Sequence, residues 1–554
     1  MPPRHIAILG GGLTGLSSAF HLSRRFPAST ITIIDKNKTL GGWASSTERV
    51  QLPGGRGSVV LEGGPRSLRP ASNAVLELIH LLNLAPALLT TPTSSPAAKN
   101  RYLHVPGTPG IYALPRPSVS YLWNELRYLI QPGINFELVR GWNRPEGVLD
   151  ESLESFLTRR GHPLTARVLG SALAHGIYAA DARLLSVRAA FPKLWELEEK
   201  GNGRILWGLL TRSREEKEAE KRKAEEERRG YELGDVPGLM EGVSVYSFRD
   251  GMHTLADALA RAVAKKPNVR VLSGAEVTAL KFAEDGDGFE ITTSTTHPLH
   301  PTHIVSALPL PALAQIIPET HPLPYLTTNP ASSVTALNLV FPTTRRDRIF
   351  PPGFGYLVCR PQDDYGADAD DAGILGVTFD SATLSAQDDL APGGGGEGVT
   401  KVTVMLGGPH LSHSSQKTPP KMKVDVELVL AHLQYHLNRA RRKPLPQPLL
   451  VREWHNRDCI PTPLPGHLER MKKLREALAG RSVPSSGESS SDLEGEQGGG
   501  GGASEAGASG TEAGASGGGG RGWDGRMEVV GAGVRGVSMG DCVESGREVG
   551  RGWH

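Results

Sequence analysis

Three glycines near the start of the chain restrict its fold more than any other feature. Gly10-Gly11-Gly12-Leu13-Thr14-Gly15 fits the spacing G-x-G-x-x-G. A short apolar run from His5 to Leu9 leads into it. Beyond it, Leu13, Leu16 and Phe20 recur at a helical period, with Ala19 and Leu22 adjoining the same face. A second β-branched run, Ile31 to Ile34, ends in Asp35, 20 residues after Gly15. The order is strand, glycine turn, helix, strand: one βαβ unit. Gly10 permits the tight turn, Gly12 lets backbone approach a pyrophosphate, and Gly15 lets helix and strand pack closely. The helix N-terminus then points its amides at the phosphates, and Asp35 stands where an acid binds ribose hydroxyls. The pattern predicts an α/β chain that binds a dinucleotide.

The rest of the composition narrows the classes. With 554 residues the chain is too long for one core, so several domains are expected. The formal charge of +2 argues against an electrostatic nucleic-acid binder. The three cysteines, Cys359, Cys459 and Cys542, are far apart and suggest no disulfide framework. They also lack zinc-ribbon spacing, and no metal site is expected. No window holds 18 consecutive apolar residues, so no spanning helix is expected. The best stretch, Val75 to Leu89, reads as a buried or amphipathic helix. No cleavable leader is expected, because a strand-like run begins at His5.

Val119 to Gly161, Leu164 to Lys200 and Val424 to Ala440 carry helical patterns. Strand patterns lie at Val269–Leu272, Phe289–Thr293, His303–Ala307, Ser333–Val340 and Val399–Leu406, and a folded pattern resumes at Met527 to Val530. Thr211 to Gly230 holds 15 charged residues among 20 and predicts a solvated helix or a loop. Ser482 to about Gly522 is rich in Gly, Ser, Glu and Ala, and such a stretch cannot offset its ordering entropy. Two Gly-rich stretches, Asp363–Gly373 and Pro392–Gly398, read as loops. This order predicts a discontinuous nucleotide-binding domain in three parts, 1–95, 235–310 and 526–554. Between them would lie a helical region at 96–210, a charged insertion at 211–234, a substrate domain at 311–481 and a disordered insertion at 482–525.

Three further patches bear on the cofactor. Asp35-Lys36 is followed by Gly41-Gly42-Trp43, which resembles the extended fingerprint of the FAD-dependent amine-oxidase superfamily. Leu61-Glu62-Gly63-Gly64-Pro65-Arg66-Ser67 resembles that superfamily's turn beside the flavin ring. Val537-Ser538-Met539-Gly540-Asp541-Cys542 carries Gly-Asp and predicts the opening of a helix. Alone, each patch is explained by a loop or a helix cap; together they predict FAD.

The resemblance then becomes specific. Gly64 to Pro70, Lys99-Asn100-Arg101-Tyr102-Leu103, Phe354-Gly355-Tyr356-Leu357, Val402 to Gly408 and Gly540-Asp541-Cys542-Val543-Glu544-Ser545-Gly546 resemble the oxygen-dependent protoporphyrinogen oxidase family, in its order and over nearly the whole chain. The chain departs from the family at Asp250-Gly251-Met252 and at Leu468. Its insertions resemble a eukaryotic, fungal or algal version.

The resemblance implies a FAD-binding Rossmann-like domain, an α+β substrate domain and a helical membrane-associating domain. It implies that protoporphyrinogen IX is oxidised to protoporphyrin IX with O2 as acceptor. Arg101 would bind a propionate, Gly176 would leave room for the tetrapyrrole, Phe354 and Leu357 would sandwich a pyrrole, and Met405 would line the pocket. Val277 would meet the adenine side of FAD. No catalytic side chain is implied, since flavin does the chemistry. A homodimer on the mitochondrial inner membrane, facing the intermembrane space, is implied, with possible hand-off to ferrochelatase. Three readings stay open beside it: another flavin amine oxidase or desaturase, an NAD-dependent dehydrogenase, and a non-catalytic flavin-binding scaffold.

Overall fold

The computed structural model describes residues 2–553 except 115–130, 132, 134, 136, 138–140, 212, 285, 296, 345–348, 366–371, 391–396, 413–423, 439–442 and 482–521. The His5–Leu9 and Thr30–Asp35 strands flank the Leu13–Arg25 helix, as the glycine pattern requires. They lie inside a five-stranded parallel sheet ordered Met527–Val529, His303–Ser306, His5–Leu9, Thr30–Asp35, Val269–Ser273. Alternation along His5–Leu9 sends Ile6 and Ile8 to one face and Ala7 and Leu9 to the other. The first face packs on Leu16, Phe20, Leu78, Leu259 and Val543, the second on Phe289, Leu313, Leu474 and Met527. Burial on both faces is why these strands read as continuous apolar runs.

A second sheet has seven strands, ordered Leu450–Pro461, Ala331–Thr344, Glu397–Gly407, Ile374–Thr378, Gly355–Val358, Tyr102–His104, Tyr112–Ala113. One face, with Leu337, Leu339, Val402 and Val404, packs on Val429, Leu430 and Leu433 of the Val426–His436 helix. The other face carries Ala336, Asn338, Thr403 and Met405, and meets the Leu61–Arg66 segment.

Several elements differ from their sequence patterns. The Val75–Leu89 stretch is α-helical only within Asn73–Leu81, followed by a single 3-10 turn at Ala85–Ala87. Asn83 takes a positive φ of 54°, and Leu88–Pro92 is a strand paired with Val243–Phe248. The 164–200 stretch is not one helix. Ser171–Tyr178 ends at Ala179 in a left-handed conformation, and Pro192–Lys200 begins anew. The charged stretch is a helix, Arg214–Arg229, opened by a capping box between Ser213 and Glu216. Residues 366–371 and 392–396 of the two predicted loops, 482–521 of the predicted disorder and much of the helix predicted at 119–161 lie outside the described residues. Residues 397–398 open the Glu397–Gly407 strand instead of closing a loop, because they pair with Thr343 and Thr344. Among the described residues, no helix is long and apolar enough to cross a membrane.

Candidate active site

The first turn is built by backbone. Gly10 has φ 95° and its N–H donates to the Ile34 carbonyl at 2.8 Å. A Cβ on Gly15 would lie 1.8 Å from the Gly10 carbonyl oxygen, so only glycine fits there. A Cβ on Gly12 would meet nothing nearer than Gly42 Cα at 3.9 Å. The space above Gly12 is therefore open, not filled by protein. Gly12 is the N-cap of the Leu13–Arg25 helix, with no side-chain cap and no acid in the first turn. Its amides are unspent and the helix end is positive, which suits a pyrophosphate.

Asp35 is fixed beside this turn: its Oδ2 accepts Gly11 N–H and its Oδ1 accepts Asn37 N–H, each at 2.7 Å. Gly41 N–H donates to the Gly11 carbonyl at 2.9 Å, and Gly42 has φ 62°. Gly42, Trp43 and Lys36 are exposed, while Leu13 and Thr14 are buried. Ala275 N–H donates to the Asp35 carbonyl at 2.9 Å, which brings Val277 to the same end of the sheet.

The C-terminal patch meets the same helix. The N-cap of the Met539–Glu548 helix is Ser538, whose Oγ accepts Asp541 N–H at 3.1 Å; Asp541 Oδ2 in return accepts Ser538 N–H at 3.0 Å. Asp541 thus closes a capping box. Ser17 Oγ donates to the Val543 carbonyl at 2.8 Å. A Cβ on Gly546 would lie 2.5 Å from the Thr14 carbonyl oxygen, which explains the glycine. Val537 and Met539 flank the cap, and Gly540 sits against Ser72. These open and backbone-lined positions fit a dinucleotide cofactor, which Gly12 and Asp35 would help to hold.

The Leu61–Arg66 turn lies on the open face of the seven-stranded sheet. Glu62 is 2% exposed, and its carboxylate accepts Met252 N–H at 3.2 Å, Gln387 Nε2–H at 3.1 Å and the Ser46 hydroxyl. Burial pushes this carboxyl above its ordinary range. A Cβ on Gly64 would lie 2.1 Å from the Trp43 carbonyl oxygen. Pro65 is exposed and Ser67 half-buried. Arg66 donates to Thr378 Oγ1 at 2.9 Å and contacts Met405 Sδ at 3.4 Å; Asp380 lies 3.7 Å from its Nε.

The residues implied for substrate fall on that same face. Leu357 pairs with Gly376, and Gly376 with Met405, so the three form one rung. A Cβ on Gly176 would lie 2.9 Å from the Leu357 methyls. The space beside Gly176 is thus taken by Leu357, and a tetrapyrrole would meet the leucine there. Arg101 stacks its guanidinium 4.6 Å from the centroid of the Phe354 ring. Its Nη1 donates to the carbonyls of Ala97, Ala98 and Asn100 at 2.6, 3.2 and 3.2 Å. Among the described residues no carboxylate pairs with it, and burial together with the nearby Arg69 charge lowers its pKa.

Sequence reasoning missed the polar residues beneath the turn: Asn338, Thr378, Asp380, Gln387, Trp454 and Asn456. Asn338 had a signal, a lone amide inside the apolar run Val334 to Phe341. Thr378, Trp454 and Asn456 are set in place by pairing across distant strands, and Asp380 and Gln387 by the short helical turns that follow the Ile374–Thr378 strand, and none had a signal.

The model of the flavin containing amine oxidoreductase family matches residues 13–483. The chain belongs to that family. Within it, the chain is 28% identical to the protoporphyrinogen oxidase of Homo sapiens over 564 residues, covering 98% of this chain and 97% of that one. It is 27% identical to the protoporphyrinogen oxidase of Schizosaccharomyces pombe over 571 residues, covering 99% and 98%. Its fold matches the crystal structure of a putative protoporphyrinogen oxidase from Exiguobacterium sp. 255-15 with a TM-score of 0.68, at 18% identity, over 98% and 97% of the two chains.

Proposed function

We propose that this chain oxidises protoporphyrinogen IX to protoporphyrin IX in haem biosynthesis, with O2 as acceptor and H2O2 as by-product. The observation that carries this reading is likeness to protoporphyrinogen oxidases along 98% of the chain. Bound FAD would supply the chemistry, taking two of the six hydrogens in each of three cycles.

The chain's own residues bind and orient. Gly10 to Gly15, Asp35 and the Met539–Glu548 helix would hold the dinucleotide. The Glu62–Arg66 turn would lie beside the flavin ring. Leu357 and Met405 give the substrate an apolar wall, and Arg101 over Phe354 offers one cation to a propionate. An apolar ring could bind in several orientations; one fixed guanidinium selects among them. No side chain has to act as a strong base.

We read residues 1–95, 235–310 and 526–554 as one FAD-binding unit and 311–481 as the substrate unit. The region 96–210 is the membrane-facing one. Trp142, Leu149, Ile177, Leu184, Trp207 and Leu209 are large apolar side chains left exposed within it. Such a surface suits a helical region lying on a bilayer, here the inner mitochondrial membrane on its intermembrane-space side. A homodimer and hand-off of product to ferrochelatase complete the proposal.

The test is direct. The purified chain should show a flavin spectrum, and chemically reduced protoporphyrinogen in air should give porphyrin fluorescence together with H2O2. A flavin-loaded protein that leaves the porphyrinogen unoxidised beyond the background in air would rule the reading out in favour of another substrate or a scaffold.

A further inference from the structure

Asn338 is 1% exposed in the middle of the Ala331–Thr344 strand. A buried amide there costs stability unless its polar atoms are satisfied. Its Nδ2 donates to Thr403 Oγ1 at 2.7 Å and to the Glu62 carbonyl at 3.2 Å. Its Oδ1 accepts Trp454 Nε1–H at 2.8 Å. The orientation of the amide is unambiguous, because a carbonyl can only accept and an indole N–H can only donate.

On the neighbouring strand, Asn456 Nδ2 donates to the Gly63 carbonyl at 2.9 Å. Between the two asparagines, the Trp454 ring comes so close to Gly63 that a Cβ there would lie 2.5 Å from it. Two successive carbonyls, Glu62 and Gly63, are thus held by two adjacent strands. Fixing both sets the height and the tilt of the peptide plane between them. The same rung holds the substrate wall, since Ala336 pairs with both Met405 and Trp454.

We propose that Asn338, Trp454 and Asn456 are positioning residues that set the gap between the flavin-side turn and the substrate wall. This rests on the reading that the Glu62–Arg66 turn lies beside the flavin ring. None of the three touches the reacting atoms; they act through the turn. A purely structural role would make their loss visible in unfolding or in flavin content. A positioning role makes it visible in the flavin's surroundings and in the rate of its reduction.

The holoenzyme variants Trp454→Phe and Asn456→Ala separate the two. Trp454→Phe keeps an aromatic ring against Gly63 and removes the N–H. Asn456→Ala frees the Gly63 carbonyl alone. Each should keep its flavin content and its KM, and alter the visible circular dichroism of the resting flavin. Each should slow anaerobic flavin reduction by porphyrinogen roughly tenfold, since small misplacements carry effects of this order. Wild-type spectra and wild-type reduction rates in both variants would overturn the positioning role. So would a slower rate accompanied by a matching loss of flavin or a rise in KM. A wild type that binds no flavin would instead overturn the parent reading.

Discussion

Arg101 and Gly12 are the residues whose surroundings lead most directly to measurable effects. The Arg101 guanidinium spends Nη1 on three carbonyls and leaves Nε and Nη2 without an acceptor among the described residues. Held over Phe354 with no carboxylate partner among the described residues, this cation is the one the proposal assigns to a propionate. Arg101→Ala should keep its FAD and lose about 10- to 150-fold in kcat/KM, the value of a charge-assisted hydrogen bond of roughly 1.5–3 kcal/mol. Arg101→Lys should recover only part, because ammonium lacks the fork. The control is a substrate with esterified propionates: wild type and Arg101→Ala should converge on it, and an equal gap on ester and acid would make the arginine structural. Gly12→Val makes the opposite kind of test. Among the described residues outside its own turn and helix, the nearest atom to a Cβ there is Gly42 Cα at 3.9 Å, so the variant should fold. Its added methyls enter the space assigned to the pyrophosphate, so it should purify colourless. Full flavin occupancy in that variant would move the phosphate site elsewhere.

At the scale of elements, the long Gly/Ser-rich segment leaves the fold and returns at one place. Gly525 N–H donates to the Leu478 carbonyl at 2.8 Å, and a Cβ on Gly480 would lie 3.1 Å from Asp524 Oδ1. Replacing residues 485–520 by a short flexible linker should leave porphyrinogen oxidation and the unfolding midpoint nearly unchanged, because loop length enters stability only logarithmically. A folded but inactive deletion would reveal a role for the segment. How far the elements could be read from sequence followed their surroundings. The parallel strands His5–Leu9 and Thr30–Asp35 are buried on both faces and stood out as apolar runs. The Leu450–Pro461 strand, at the edge of its sheet and carrying Arg452, Glu453, His455, Asn456, Arg457 and Asp458, gave no such pattern. The glycines of the dinucleotide turn were legible because backbone geometry forces them. The partners of the Glu62–Arg66 turn were not, because Thr378, Asp380 and Asn456 reach it only through the tertiary fold, from more than 300 residues away in sequence. Gly176 shows the limit of reading one residue alone: its missing side chain makes room for Leu357.

For the whole molecule, the groups assigned to FAD come from both ends of the chain and its middle, from Gly10 to Asp541. A ligand bound only by the assembled form stabilises it by mass action, about 2.7 kcal/mol at a hundredfold excess over Kd. Stripping the flavin should therefore lower the unfolding midpoint, and added FAD should raise it again in a concentration-dependent way. A midpoint indifferent to FAD would mean that these segments do not converge on the cofactor. The strand order of the parallel sheet also has a temporal consequence. His5–Leu9 pairs on one side with Thr30–Asp35 but on the other with His303–Ser306, so one edge of the first strand made waits for a partner made nearly 300 residues later. At a synthesis rate of roughly 5–20 residues per second, that wait is on the order of 15 seconds to a minute. Throughout it, the newborn βαβ unit presents unpaired strand edges. A ribosome-bound chain halted before His303 should remain open to protease at its N-terminal βαβ unit, and in the cell such a chain is a natural client for a holdase chaperone.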